Sequence, residues 1–274
     1  MWTSLRTAVL SVLSVLSVVA AGAACTAAGD TPAGSAAPPR GSLLDEVPRA
    51  GVLRVCTTGD YRPFTYRDPA TGAYRGIDVD MARDLAGSLG ARADFVPVTW
   101  ASLLAQVTAG RCDIAMGGIT ATLERAREAV FTAPYLEDGK APIARCEDAG
   151  RYTGLTRIDR RGVRVVVNPG GTNETFARTR LRHARVTVFP DNNRIFDEIA
   201  AGRADVMITD AAEARYQARL HPELCAVRPD RPLTFAEKAY LMRRGDPDFL
   251  TYVDRWLRLR THDGTYRRFA RAWE

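Results

Sequence analysis

The chain has 274 residues, 46% of them hydrophobic and 26% charged, enough for one large domain or two ordinary lobes. Its formal net charge of +6 is scattered over single arginines rather than gathered into a stripe, which argues against nucleic-acid binding and fits a solvated surface that attracts anionic ligands. His183, His221 and His262 stand apart and there is no CxxC, so no metal site is expected.

The chain opens with "MWTSLRTAVLSVLSVLSVVAAGAAC": Arg6, an apolar stretch from Ala8 to Ala20, then small residues up to Ala24 and Cys25. Residues 1–24 are expected to be a secretory signal peptide, too short to span a bilayer. The leader resembles a bacterial lipoprotein signal, in which the cysteine becomes the lipidated first residue. Gly22 departs from the aliphatic residue usual there, which leaves a lipid anchor at Cys25 open. Loss of residues 1–24 removes Arg6 alone, so the mature net charge is one lower, +5. Residues 25–45 are expected to be a flexible linker, most plainly in "TAAGDTPAGSAAPPRG", which cannot form a core.

A strand is predicted at "GVLRVCTT" (51–58), a helix at "GIDVDMARDLAGSLG" (76–90), a strand at "ADFVPVTW" (93–100), a helix at "ASLLAQVTAGRC" and a strand at "DIAMGGIT" (113–120). The pattern restarts after residue 141, with strands at "VRVVVNPGG" (163–171), "ARVTVFP" and "ADVMITD" (204–210) around helices "NETFARTRL" and "IFDEIAAG". "AEKAYLMRRG" (236–245) reads as a strand returning to the first half, followed by a closing helix, "DFLTYVDRWLRLRTH". Strands alternating with helices predict parallel sheets with helices on both faces. The expected fold is α/β with two lobes: lobe one from 46–140 and 235–274, and lobe two, 141–234, inserted into it.

Export permits disulfides, and Cys146 with Cys225 is the expected pair. Cys56 ends one predicted strand and Cys112 begins another. In parallel neighbours they would sit at opposite ends, so both are expected to be free and buried.

Ligands of open α/β sheets bind beyond the carboxyl ends of the strands. That rule selects Asp60, Tyr61, Phe64, Trp100 and Gly118 to Thr120 in lobe one, and Gly170 to Glu174 and Asp210 to Glu213 in lobe two, converging on an inter-lobe cleft.

"GDYRPFTYRDPATGAYRGIDVDMARDLA" and "DIAMGGITATLERAREAVFTAPY" resemble the amino-acid-binding periplasmic proteins of ABC importers (solute-binding protein family 3) over about residues 45–274. The resemblance implies the two-lobed periplasmic-binding-protein, or Venus flytrap, fold. It also implies that Arg125 in "TATLER" holds a ligand carboxylate with Thr120, and that Asp210 holds the ligand ammonium. "TTGDYRPFTY", "VNPGGTNETFAR", "TDAAEARYQARLHPELCAV" and "FAEKAYLMRRGD" are similar, more specifically, to the secreted cyclohexadienyl dehydratases. These share the fold but convert prephenate to phenylpyruvate and arogenate to phenylalanine. Cys56, where a small Ala is usual, and the lipoprotein-like leader depart from their pattern.

Such chemistry needs cations to place carboxylates and an acid to protonate the leaving hydroxyl. Arg125 is a forked donor suited to a carboxylate, unless it only pairs with Glu124 or Glu128 at the surface. Lys140, in "YLEDGKAP" between the lobes, is a second cation or a solvated hinge lysine. Thr172 and Asn173 open a helix whose free N–H groups favour an anion, and ordinary capping accounts for them equally; Glu174 is read as structural.

Asp210 and Glu213 have capping-box spacing, D-x-x-E, which by itself reads as a helix start. In a closed cleft, a carboxyl beside an ionised Asp keeps its proton. The resemblance implies Glu213 as the proton donor. Trp100 and Phe64 are expected to flank the substrate ring unless either is core. No cofactor is expected, because aromatisation drives the loss of CO2 and water. The partner is then a small molecule: prephenate, arogenate or an amino acid. The competing class is a binding lipoprotein without catalysis that serves an ABC permease. A sensor module is a third class, for which no kinase or transmembrane segment is found in the sequence.

Overall fold

The computed structural model describes residues 41–273. The expected signal peptide, Cys25 and most of the expected linker lie outside the described residues. The last linker residues, Leu43 to Asp45, form the first turn of a helix instead, Leu43–Ala50. Ser42 caps it, accepting from the Leu44 N–H at 3.1 Å. The Ser42 hydroxyl and Leu43 N–H donate to Asp246 at 2.8 and 2.7 Å, and Leu43 and Leu44 pack on the core. The anchoring partner sits at the far end of the chain, where a local reading does not look.

Two five-stranded sheets form the frame. The first has the order Arg92–Pro97, Val52–Thr57, Ile114–Ala115, Leu241–Met242, Val130–Phe131. Its first three strands are parallel, and Leu241–Met242 is antiparallel to both its neighbours. The second has the order Arg185–Val188, Arg164–Val167, Val206–Asp210, Lys140–Arg145, Leu224–Ala226. Again three strands are parallel, and Lys140–Arg145 is antiparallel to both neighbours.

Both sheets are covered on both faces, which is why their strands read as apolar runs. Leu53 and Val55 face the helices Ile77–Ser88 and Pro247–His262, while Cys56 faces the helix Leu103–Thr108. In the second sheet Val165, Val167 and Ile208 pack with Ala177 of helix Thr172–Arg180. Val166 and Met207 pack with Ile195, Phe196 and Ile199 of helix Ile195–Ala200. The period-2 alternation of the strands thus sends successive side chains into two different cores.

The chain crosses between the sheets twice. The crossings, Leu136–Asp138 and Ala236–Lys238, pair with each other antiparallel, with Lys238 opposite Leu136. This pair inserts the second sheet into the chain that forms the first.

Cys146 and Cys225 are joined by a disulfide, with Cα atoms 4.8 Å apart. Cys56 and Cys112 are also joined, with Cα atoms 5.6 Å apart, which overturns the expectation that both are free. The strand begins at Ile114, after Cys112, and residues 111–113 bend rather than extend. Both sulfurs lie in the core under Leu103 and Val107. Cys112 precedes the strand Ile114–Ala115, so the opposite-ends geometry of parallel neighbours does not apply to it.

Candidate functional site

The carboxyl ends of the parallel strands meet between the sheets around a small cavity with little more room than a water molecule, about 10 Å³. Tyr61, Trp100, Gly118, Thr120 and Arg125 line it from the first lobe; Asn168, Gly171, Thr172, Asn173 and Asp210 line it from the second.

On the first wall, Gly118 has φ +68°, and a Cβ there would come within 2.5 to 2.7 Å of the Phe64 and Tyr61 rings. Only glycine lets the loop approach the aromatics so closely. The Gly118 N–H donates to Asp78 Oδ2 at 2.6 Å, which ties the loop to a carboxyl buried beneath it. Tyr61 stacks on Phe64 and meets Trp100 edge-on, with ring centroids 5.5 and 5.3 Å apart. Trp100 Nε1 donates to Asp60 Oδ1 at 3.0 Å. Arg125 turns towards the cavity and donates from Nη1 to the Thr120 carbonyl at 2.9 Å.

On the second wall, Asp210 ends the strand Val206–Asp210 and precedes the helix Ala211–Leu220, but its side chain makes no cap bond. Instead Oδ1 accepts from Lys140 Nζ at 2.7 Å and Oδ2 from Lys238 Nζ at 2.6 Å. The Tyr61 hydroxyl also donates to Oδ2. Burial alone would push the Asp210 carboxyl up, but the two ammonium groups outweigh it and hold Asp210 well below the usual carboxylate range. Lys140 further donates to Thr172 Oγ1 at 2.9 Å and to Asn173 Oδ1. Lys238 also donates to Thr120 Oγ1 at 2.9 Å and to the Tyr61 oxygen at 3.2 Å.

The Glu213 carboxyl is fully buried. Thr209 Oγ1 lies 2.5 Å from Oε2, and Asn192 Nδ2 donates to Oε1 at 3.3 Å. Burial pushes Glu213 well above the ordinary glutamate range; the Thr209 bond opposes the shift, and the charges of Asp210 and Asp60 add to it. Burial and the neighbouring charges thus favour the protonated form of Glu213, whereas the two lysines favour the ionised form of Asp210, three residues before it. The capping-box reading fails on both members. Neither carboxyl satisfies the helix start, because Lys140, Lys238, Thr209 and Asn192 compete for them at close range.

A hydrogen-bond chain runs from the cation to this acid. Lys140 donates to Asn173 Oδ1, which orients the amide. Asn173 Nδ2 then donates to Asn168 Oδ1 and Thr209 Oγ1, both at 3.1 Å, and Thr209 meets Glu213. Asn192 joins the lobes: its Nδ2 donates to the Asp60 carbonyl at 2.8 Å as well as to Glu213.

Of the expected site residues, Tyr61, Trp100, Gly118, Thr120, Arg125, Thr172, Asn173 and Asp210 converge on the cavity. Lys140 reaches it through Thr172 and Asn173, and lines the groove that continues from it past Trp100 and Thr120. It is buried, not a solvated hinge lysine. Phe64 does not line the cavity. It is 1% exposed and stacks against Tyr61, which takes the ring-facing place expected for Phe64. Asp60 and Glu213 also stay out of the lining, held by Trp100 and by Thr209 with Asn192. Glu174 accepts from the Gly170 N–H at 2.7 Å and pairs with Arg178, the structural role expected of it.

Sequence reasoning missed Lys238, Asn168, Thr209 and Asn192. For Lys238 a signal was present: of 38 basic residues only two, Lys140 and Lys238, are lysines, and both contact Asp210. Thr209 is a polar residue inside an otherwise apolar strand. Asn168 and Asn192 carry no local signal.

The chain matches the family model of bacterial extracellular solute-binding proteins, family 3, over residues 53–274, and it belongs to that family. It is 53% identical to a cyclohexadienyl dehydratase of Pseudomonas aeruginosa over 85% of this chain and 86% of that one. Among solved structures, an ancestral cyclohexadienyl dehydratase is 52% identical, with a TM-score of 0.54 over 85% of this chain and 97% of that one. An ancestral amino acid-binding protein, described as a precursor of cyclohexadienyl dehydratase, is 35% identical, with a TM-score of 0.77 over 85% of this chain and 99% of that one.

Proposed function

We propose that this protein is a cyclohexadienyl dehydratase, which removes water and CO2 from prephenate to give phenylpyruvate, or from arogenate to give phenylalanine. The likeness to the Pseudomonas aeruginosa dehydratase supports the reaction. The observation that carries the assignment of roles is Glu213, a fully buried carboxyl held by Thr209 and Asn192 beside an Asp210 paired with two lysines, where burial favours its protonated form.

In this reading Arg125 and Lys140 hold the substrate's carboxylates, and Tyr61 with Trp100 borders the ring. Glu213 gives its proton to the ring hydroxyl, whose C–O bond breaks to release water. The bond from the ring to its carboxylate breaks at the same time; its electron pair enters the ring, CO2 leaves, and the ring becomes aromatic. Glu213 takes a new proton from solvent when the lobes open. To reach the substrate it exchanges the Thr209 hydroxyl for the substrate's own. Asn173 fixes the relation between Lys140 and Thr209, which makes it part of the same machinery.

The competing reading, an amino-acid-binding protein that feeds a permease, draws on the TM-score of 0.77 to the ancestral binding protein. The decisive experiment mixes the purified protein with prephenate near neutral pH and follows phenylpyruvate in alkali. Catalytic product formation is expected, and its absence from folded protein would return the chain to the binding class. Glu213→Gln is expected to lower kcat by about 10³-fold while prephenate still binds, since general acids contribute on that order. Retained turnover would remove Glu213 from its role. As a member of an extracellular family the chain is read as exported. Lipidation of Cys25 is tested by labelling cells with a fatty-acid probe and looking for its loss in Cys25→Ser.

A further inference from the structure

An entering ammonium group needs a carboxylate with free lone pairs and uncompensated charge. Asp210 is the ionised carboxylate that lines the cavity, and its charge is already met. Of roughly four acceptor positions on a carboxylate, Lys140, Lys238 and Tyr61 fill three.

Lys238 is the fixed member of this group. It is 0% exposed, sits at the end of the crossing strand Ala236–Lys238, and is further tied to Thr120 and Tyr61. It does not line the cavity, so it meets Asp210 from behind, whatever ligand enters in front. With Arg125, three cations face one ionised carboxylate, a surplus of two positive charges. The other carboxyl groups nearby do not offset it by contact. Asp138 accepts from the N–H groups of Gly139 and Ala212, Asp60 from Trp100, and none of Asp138, Asp60 and Glu213 lines the cavity.

We propose that Lys238 sets substrate selectivity: by neutralising Asp210 it makes the cleft prefer a ligand with two carboxylates and an α-keto group, prephenate, over the α-amino counterpart, arogenate. The proposal rests on the dehydratase reading for the identity of this pair of ligands. Two carboxylates match the surplus charge. The ammonium of arogenate would instead face Lys140 and Lys238 across an Asp210 already shared between them.

The test measures binding of prephenate and arogenate to Glu213→Gln by calorimetry, and kcat/KM for both with the unmodified protein. Prephenate is expected to be favoured by about tenfold or more, the scale of a close charge pair. Lys238→Met is expected to move the ratio about tenfold towards arogenate. Asp210→Asn is expected to weaken both ligands alike, because Asp210 acts by placing the lysines. If Asp210 received the ammonium, Asp210→Asn would cost arogenate alone.

Equal preference in the unmodified protein, an unmoved ratio in folded Lys238→Met, or an arogenate-only loss in Asp210→Asn would each overturn the proposal. Should Lys238→Met not fold, the other two measurements decide. If neither ligand is turned over but prephenate is still bound preferentially, the dehydratase reading falls and the selectivity stands.

Discussion

In the first lobe the Arg54 N–H donates to Asp113 Oδ2 at 2.8 Å and its Nη2 to Oδ1 at 2.5 Å; in the second, Arg164 clasps Asp205 with the same two distances. The return bonds match as well: Asp113 N to Arg54 O and Asp205 N to Arg164 O are both 2.9 Å. Each fork links the first parallel strand of its sheet to the start of the third. At the other end of the same strands the lobes diverge. The first strand of lobe one leads to Asp60, Tyr61 and Phe64, and that of lobe two to Asn168, Thr172 and Asn173. The third leads to Gly118 and Thr120 in lobe one, but to Thr209, Asp210 and Glu213 in lobe two. The frame is duplicated, and the chemistry is confined to the carboxyl ends, where the lobes face each other. Lobe one brings aromatic surface and Arg125; lobe two brings the acid and the polar chain that holds it.

This division is open to test from both sides. The largest effect is expected from Glu213→Gln, whose loss of about 10³ in kcat should leave thermal stability nearly unchanged.

Next is Asp78, which ties the Gly118 loop and accepts from Tyr135 and Tyr240 at 2.6 and 3.1 Å. Burial pushes it from 3.8 up to about 6 against those bonds. The folded protein therefore binds this proton more tightly than the unfolded chain. Its contribution is fully present below about pH 4 and is lost as pH rises through about 6. A shift of that size corresponds to about 3 kcal/mol. Urea denaturation between pH 4 and 7 should show this slope in the unmodified protein and a flatter one in Asp78→Asn.

Asp205→Ala is expected to cost about 2 kcal/mol of stability, because it strands the Arg164 N–H and guanidinium, yet to leave kcat at saturating substrate intact. A large fall in kcat with stability unchanged would break the separation of frame from chemistry.

The smallest effect is expected at Asn192, the bridge between Asp60 and Glu213. Asn192→Ala should lower kcat by about tenfold, the scale of one lost hydrogen bond to a buried group. The lost N–H donor favours the ionised form of Glu213, so its removal should also move the high-pH limb of kcat upward. An unmoved limb would mean that Asn192 only packs.

Much of the frame was legible because it depends on local, periodic signals. Apolar runs such as "VRVVV" and "VMITD" fall at the strands Arg164–Val167 and Val206–Asp210, and "DFLTYVDRWLRLRTH" falls in the helix Pro247–His262. The strand-end rule brings Tyr61, Trp100, Thr120 and Asp210 to one place, and the family resemblance adds Arg125. Errors arose where one residue separates two outcomes. Cys112 lies just before a strand rather than in it, and Leu43 is helix rather than linker because its partner is Asp246.

The sequence by itself determined the two-lobed α/β architecture, the strand ends that face the cleft, and the residue types available there, since each follows from periodicity and chain order. Only the tertiary structure decided how those residues are used. Asp210 and Glu213, three positions apart, are pushed in opposite directions because Lys140 and Lys238 reach one and burial with Thr209 and Asn192 encloses the other. Lys238 comes from a crossing strand 28 positions beyond Asp210, and Asn192 links Glu213 to the Asp60 carbonyl, 132 positions before Asn192 itself. Charge and desolvation act through space over a few ångströms, and sequence spacing does not record which distant side chains come that close.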